Sequence, residues 1–314
     1  MFSTFSILLP VFALILAGFA CRRCNWLGPT AASELNKFVV RLALPALLFD
    51  IMAHSSWHQL DQPAFIATFL VACAAVFLPV LLVRLAMGRH LADASVEAIA
   101  ASYPNTGYVG FPLALLAFGH ESLTPTTIAT IIVACVLFAL AIVLMEIGLQ
   151  SEQALHKVGA KVLLSLVKNP LIVSPVLGAL VASAGAALPA SAETFLKLAG
   201  SAASPCALVS LGLFLAERRP VGEAPRAALV LSIVKLIAQP ILTWWLAVRV
   251  FALPTPLADV AVLLAALPTG TGPYMLAEFY RREASVTSQT ILLSTLGSLV
   301  SLSVLLWWMH ARGV

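Results

Sequence analysis

Two short runs concentrate residues that belong at the end of a helix rather than inside one. They are Tyr103-Pro104-Asn105-Thr106-Gly107 and Leu267-Pro268-Thr269-Gly270-Thr271-Gly272-Pro273. Proline lacks an N–H and clashes with the preceding turn, and glycine readily leaves the helical conformation. Together they open a helix outright. An opened helix presents carbonyls at one broken end and free N–H groups at the other. The first end suits a cation; the second, with its positive dipole, suits an anion. If two such segments cross in antiparallel fashion, the N–H groups around Gly107–Tyr108 and Gly272–Tyr274 form an anion site. Asn105, Thr106, Thr269 and Thr271 then supply side-chain hydrogen bonds.

The elements that must position these runs are membrane helices. Of 314 residues, 61% are apolar and 10% charged, and the mean hydropathy is +1.00. A soluble domain needs about 25% charged residues to face water. Continuous apolar runs such as AFIATFLVACAAVFLPVLLV are long enough to cross a ~30 Å hydrocarbon layer as helices. A β-barrel would instead alternate polar and apolar residues in ~10-residue segments. Helices satisfy their own backbone hydrogen bonds in lipid, so an all-α membrane protein is expected.

Apolar runs and breakers place ten transmembrane helices near 4–20, 34–53, 63–86, 96–119, 124–149, 168–187, 192–216, 226–251, 257–280 and 287–309. Arg22/Arg23, Arg84/Arg89, Lys157/Lys161, Arg218/Arg219 and Arg281/Arg282 fall in every second connection; intervening loops such as HSSWHQLDQP have no Lys or Arg. The positive-inside rule puts the basic loops in the cytoplasm and both termini outside. The first apolar run is not a secretion signal, because its arginines follow the core instead of preceding it. HKVGAKVLLSLVK, within a 151–167 linker, is amphipathic and expected to lie along the cytoplasmic face. Asn169-Pro170 then starts the sixth span, with a capping side chain and proline at the first helical position.

Ten spans with outward termini divide into two sets of five, 1–150 and 168–314. An odd number per half inverts the second set. The breakers correspond: Glu34 and Pro45 in span two match Glu193 and Pro205 in span seven, and Pro79 in span three matches Pro240 in span eight. The opened runs themselves match in spans four and nine. Paired interruptions in two halves are the best sequence pointer to a transporter's binding site. Pro79 and Pro240 read as packing kinks.

Ionisable residues inside spans are costly and suggest function. Lys37 and Arg41 can snorkel to the interface. Glu97, Glu146, Glu278 and Asp259 are expected near enough to span ends to be solvated. Asp50, one turn from His54, is the candidate proton-coupling group. Lys235, beside Gln239-Pro240, is a second ion-coupling candidate, or a scaffold lysine paired with an acidic side chain.

Other classes lack their chemistry. There is no Walker motif, no H-E-x-x-H and no G-x-S-x-G, so ATP drive, zinc peptidase and serine hydrolase readings fail. Cys21 and Cys24 form a lone CRRC without the second pair a zinc site needs. No cofactor or metal is expected. The net charge of +4 sits in short loops and does not point to nucleic acid.

With these residues in view, the chain resembles the auxin efflux carrier family, which includes bacterial malonate and malate permeases. The matching segments are NKFVVRLALPALLF, PNTGYVGFPLAL, KNPLIVSPVLG, SPCALVSLGLFLA and LPTGTGPYMLAEFYRREASVTSQTILLSTLGSLVSL, in order over nearly the whole length. The resemblance implies ten spans in inverted repeats, a scaffold bundle, a transport bundle crossing at spans four and nine, and elevator-like alternating access. It implies a carboxylate substrate bound by Asn105, Thr106 and Gly107 with Pro268, Thr269, Gly270 and Thr271, lined by Pro45 and Pro205. The ninth-span motif departs by having Thr-Gly-Thr-Gly where many members place an asparagine. The expected function is secondary transport of a small organic anion such as malonate across a bacterial inner membrane, coupled to protons or sodium, with a homodimer possible. The alternatives are an efflux carrier for aromatic or other weak acids and, in another class, a channel or sensor. A channel would need a continuous polar pore.

Overall fold

The computed structural model describes residues 2–55, 61–149, 164, 167–185, 187–217 and 225–312. Most of the expected amphipathic linker at 151–167 lies outside them. Among the described residues all regular structure is helical. In chain order the helices are α1 (Phe2–Arg23), α2 (Ala31–Phe38), α3 (Leu44–Ala53), α4 (Pro63–Ala86), α5 (Leu91–Ser102), α6 (Phe111–Phe118), α7 (Leu123–Ile131) and α8 (Phe138–Leu149). They continue as α9 (Pro170–Ser183), α10 (Ala190–Ser201), α11 (Ala203–Ala216), α12 (Pro225–Ile233), α13 (Gln239–Trp245), α14 (Thr255–Ala265), α15 (Gly272–Phe279) and α16 (Ser285–Ala311). Among the described residues five stretches are long and apolar enough to cross a membrane: Pro63–Ala86, His120–Leu149, Ala190–Ala216, Pro225–Val250 and Ser285–Ala311. They fit a multi-pass membrane protein.

Several helices run on through a wider turn. Val39–Ala43 joins α2 to α3, Thr106–Gly110 leads into α6, and Val234–Ala238 joins α12 to α13. Each precedes a proline: Pro45, Pro112 and Pro240. Proline gives no N–H to the carbonyl four residues back, and its ring pushes that carbonyl away. One widened turn upstream absorbs the misfit without ending the helix. Asn169 caps α9 through its side chain, which accepts from the Leu171 N–H at 3.0 Å, and Pro170 follows at the first helical position.

The chain forms two interleaved compact units. The first takes Met1–Gln62, Gly107–Thr130 and Lys168–Arg218. In it α1 and α11 lie antiparallel at the closest possible approach: a Cβ on Gly18 would stand 2.2 Å from the Val209 carbonyl oxygen, and one on Gly212 would stand 1.9 Å from that of Ile15. Gly178 lets α9 meet α3 in the same way, beside the Phe49 carbonyl. Small residues at such contacts let backbones touch, which is how helices gain packing energy in lipid. Val39, Leu44, Leu48, Phe111 and Ala203 fill the space beside them.

The second unit takes Pro63–Thr106, Ile131–Val167 and Arg219–Val314. Its centre is α5, whose alanine-rich sequence is buried almost throughout and lets α4, α8 and α16 pack close around it. Here one expectation fails. Glu97, Glu146 and Asp259 are not solvated at helix ends; they are 3%, 3% and 2% exposed. The reason is that α5 begins at Leu91, not near 96, so Glu97 falls inside it. Its carboxylate is held by Arg84 and by Arg89 at 2.8 Å. Glu146 accepts the Tyr280 hydroxyl at 2.6 Å. Glu278 is exposed, as expected.

Glu97→Ala would leave two arginines facing each other with their shared counter-charge gone. Breaking a buried pair this way costs about 3–5 kcal/mol. Arg282→Ala breaks a pair with Asp93 that is more exposed, at a cost of about 1 kcal/mol or less. Thermal unfolding of the detergent-solubilised protein is expected to rank the two in that order, by a wide margin.

Candidate functional site

The site is built where α5 and α14 stop. α5 ends at Ser102 and Tyr103 turns to an extended backbone (φ −97°, ψ 89°); α14 ends at Ala265. The two opened runs then pair with each other. The Asn105 N–H donates to the Pro268 carbonyl at 2.9 Å, and the Gly270 N–H donates to the Tyr103 carbonyl at 3.0 Å. Pro104 and Thr269 face one another as an isolated antiparallel bridge. Each break thereby supplies the backbone partners the other lacks. Unpaired backbone groups buried here would cost several kcal/mol each, so the reciprocal pairing is what makes the two breaks tolerable.

Thr269 pins the knot to its surroundings. Its hydroxyl donates to the Ala100 carbonyl at 2.8 Å, and its N–H donates to the Ser294 hydroxyl at 3.0 Å. The remaining helix ends are capped from one neighbour. Lys235 and Gln239, one turn apart, are both fully buried. Lys235 Nζ donates to the Ala265 carbonyl at 2.6 Å, at the end of α14; Gln239 Nε2 donates to the Ser102 carbonyl at 3.2 Å, at the end of α5. A helix C-terminus carries partial negative charge, so a cation or an amide donor is what these two ends require. Among the described residues no carboxylate lies within ion-pair distance of Lys235. The backbone holds it, not the acidic side chain expected of a scaffold lysine.

Tyr103 is the residue that sequence reasoning missed. Its ring lies across Gly270 and Gly272, where an added Cβ would come within 2.9 Å of ring carbons in both cases. Phe138 stands 6.2 Å from it, tilted by 59°. The signal is the lack of a side chain at both Gly270 and Gly272, which leaves room for an aromatic ring against the start of α15. Asn105, Thr106, Pro268, Thr269 and Gly270 are buried; Thr271 and Gly272, at the start of α15, are partly exposed.

The other expected residues lie in the first unit. Gly107 meets Leu44, and Tyr108 is a core residue whose hydroxyl donates to the Asn36 side chain. Pro45 is buried at the start of α3, and Pro205 is exposed on α11. Asp50 is partly buried with His54 Nδ1 3.3 Å from its carboxylate, and His54 Nε2 is 3.8 Å from Glu193.

The family described as "Membrane transport protein" matches residues 3–306. The chain belongs to this family, the auxin efflux carrier family. Within it, a Rhizobium meliloti (strain 1021) protein described as "Putative malonate transporter" is 30% identical over 303 residues, covering 96% of this chain and 94% of the relative. "Uncharacterized transporter YfdV" of Escherichia coli (strain K12) is 24% identical, covering 94% of each. "Auxin efflux carrier component 8" of Arabidopsis thaliana is 21% identical, covering 91% of this chain and 92% of the relative. This family member is a membrane transporter.

Proposed function

We propose that this family member is a secondary carrier that moves a small organic anion, a malonate-like dicarboxylate, across a bacterial inner membrane by alternating access. The observation that carries the reading is the reciprocal hydrogen bonding of the two broken runs, Tyr103–Asn105 with Pro268–Gly270. Two interruptions that complete each other are what a pair of inverted repeats would bring together. We accordingly read ten spans in two inverted five-helix repeats, 1–150 and 168–314, with 151–167 as linker and both termini outside.

In this reading the anion is bound at the crossing by the Asn105 and Thr106 side chains and by the start of α15 at Thr271 and Gly272, where N–H groups and the helix dipole favour negative charge. Lys235, through its hydrogen bond to the Ala265 carbonyl, holds the end of α14 beside the same crossing. Malonate is preferred because the 30% identical relative carries that name. A carrier for larger weak organic acids is the competing reading, supported by the auxin efflux carrier relative. Asp50 is the coupling carboxylate, with a proton as the favoured ion and sodium as the alternative.

The test is uptake of labelled malonate into proteoliposomes with an imposed pH or sodium gradient. Gradient-driven uptake that loses its pH dependence in Asp50→Asn, with malonate binding retained, is the expected result. Unchanged proton-driven uptake in that variant would remove Asp50 from the mechanism. Absence of malonate uptake with active transport of an aromatic acid would replace the substrate and keep the carrier.

A further inference from the structure

The second unit carries a cavity of about 1170 Å³ that lies apart from the crossing. One wall is the second half of α4, with Val76, Pro79 and Val83; the other is the helix through α12 and α13, with Val230, Val234 and Leu242. These walls are wholly apolar. The character changes at one end only, where Arg84, Arg89, Arg226 and Glu283 gather. From Arg226 to Leu242 the groove follows its helix for about 24 Å at 1.5 Å per residue. One leaflet of hydrocarbon is about half of ~30 Å. The groove is therefore deep enough to take an acyl chain of one leaflet along its whole length.

The charged end selects the head that such a chain would bear. Arg84 and Arg89 share Glu97, and Arg89 also meets Glu283 at 3.3 Å. The Glu97 hydrogen bond holds the Arg89 guanidinium above its already high ordinary pKa, so it stays charged. Arg226 is exposed and has no carboxylate within ion-pair distance among the described residues. Among the described residues three guanidiniums against two carboxylates leave a net positive mouth, with Arg226 outside any ion pair. An amphiphile with a cationic head is disfavoured there, and a neutral one leaves Arg226 unpaired.

We propose that this groove is a binding site for an anionic phospholipid, its phosphate on Arg226 and the open side of Arg89 and its acyl chain between α4 and α12. Anionic headgroups gain about 1 kcal/mol per arginine at a membrane surface, which corresponds to about five-fold in affinity.

Native mass spectrometry of the purified full-length protein, titrated with phosphatidylglycerol or phosphatidylcholine of the same acyl chains, tests it. Phosphatidylglycerol is expected to bind about five-fold more tightly, and Arg226→Glu to erase that preference. Arg226 is exposed, so the variant keeps its fold. Val230→Trp, which fills the apolar part of the groove, is expected to weaken both lipids. Glycerol phosphate, the soluble head alone, is expected not to compete. Equal binding of the two lipids, an undiminished preference in Arg226→Glu, or full competition by glycerol phosphate would overturn the proposal. Binding is read without transport, so any of these results leaves the carrier reading as it stands.

Discussion

Uptake is expected to fall about 100-fold when Gly270 is replaced by valine, with the protein still inserted and folded. A single Cβ at this position already stands 2.9 Å from the Tyr103 ring and 3.4 Å from the Asn105 Cα. Valine adds two methyl groups on the same side. The ring must leave its place, or the Tyr103 carbonyl must move away from the Gly270 N–H that it accepts at 3.0 Å. Either movement shifts Asn105 by a large fraction of an ångström, and misplacing a binding group by 1 Å can cost two orders of magnitude. Gly270→Ala is expected to do less harm, and Tyr103→Leu to recover part of what Gly270→Ala loses. Recovery would assign the damage to the ring and not to the backbone of the knot.

The second large effect is on stability. Gly212→Ala places a methyl group 1.9 Å from the Ile15 carbonyl oxygen, in a contact between two helix backbones where no side chain can rotate away. α1 and α11 must separate by more than 1 Å, and the neighbouring contacts open with them. Overpacking commonly costs 1–3 kcal/mol, and a backbone-to-backbone clash belongs at or above the top of that range, about 3 kcal/mol. For a chain this long that is a fall in melting temperature of about 4–5 °C. Gly18→Ala, 2.2 Å from the Val209 carbonyl oxygen, is expected to cost nearly as much. The double variant should cost clearly less than the sum, because the first methyl group already holds the helices apart for the second.

Both expectations concern glycines, yet only one kind was readable from the sequence. The runs at Tyr103–Gly107 and Leu267–Pro273 announce themselves because proline and glycine act on the backbone of their own segment. Helix ends at Ser102 and Ala265 follow from that local chemistry. The close approach at Gly212 depends on which helix lies opposite, and the sequence of α11 does not contain α1. The same holds for Tyr103, whose role exists only once the second run crosses the first. Lys235 and Gln239 could be placed on one face by their spacing, but their targets, the carbonyls of Ala265 and Ser102, come from two other helices. Glu97 shows the limit most plainly. A carboxylate in an apolar run suggests a span end, whereas two arginines from the preceding helix and turn allow it to sit inside α5.

On the proposed mechanism the crossing of the two broken runs holds the transported carboxylate. Thr271 stands at the partly exposed edge of that crossing, on the first residue before α15. The most direct measurement replaces it with cysteine in a chain whose five native cysteines are serines, then follows alkylation by a maleimide with and without malonate. Slower labelling in malonate, and not in its dimethyl ester, is the predicted result. A labelling rate indifferent to malonate, in protein that still takes malonate up, would place the anion elsewhere and rule the crossing out as its binding site.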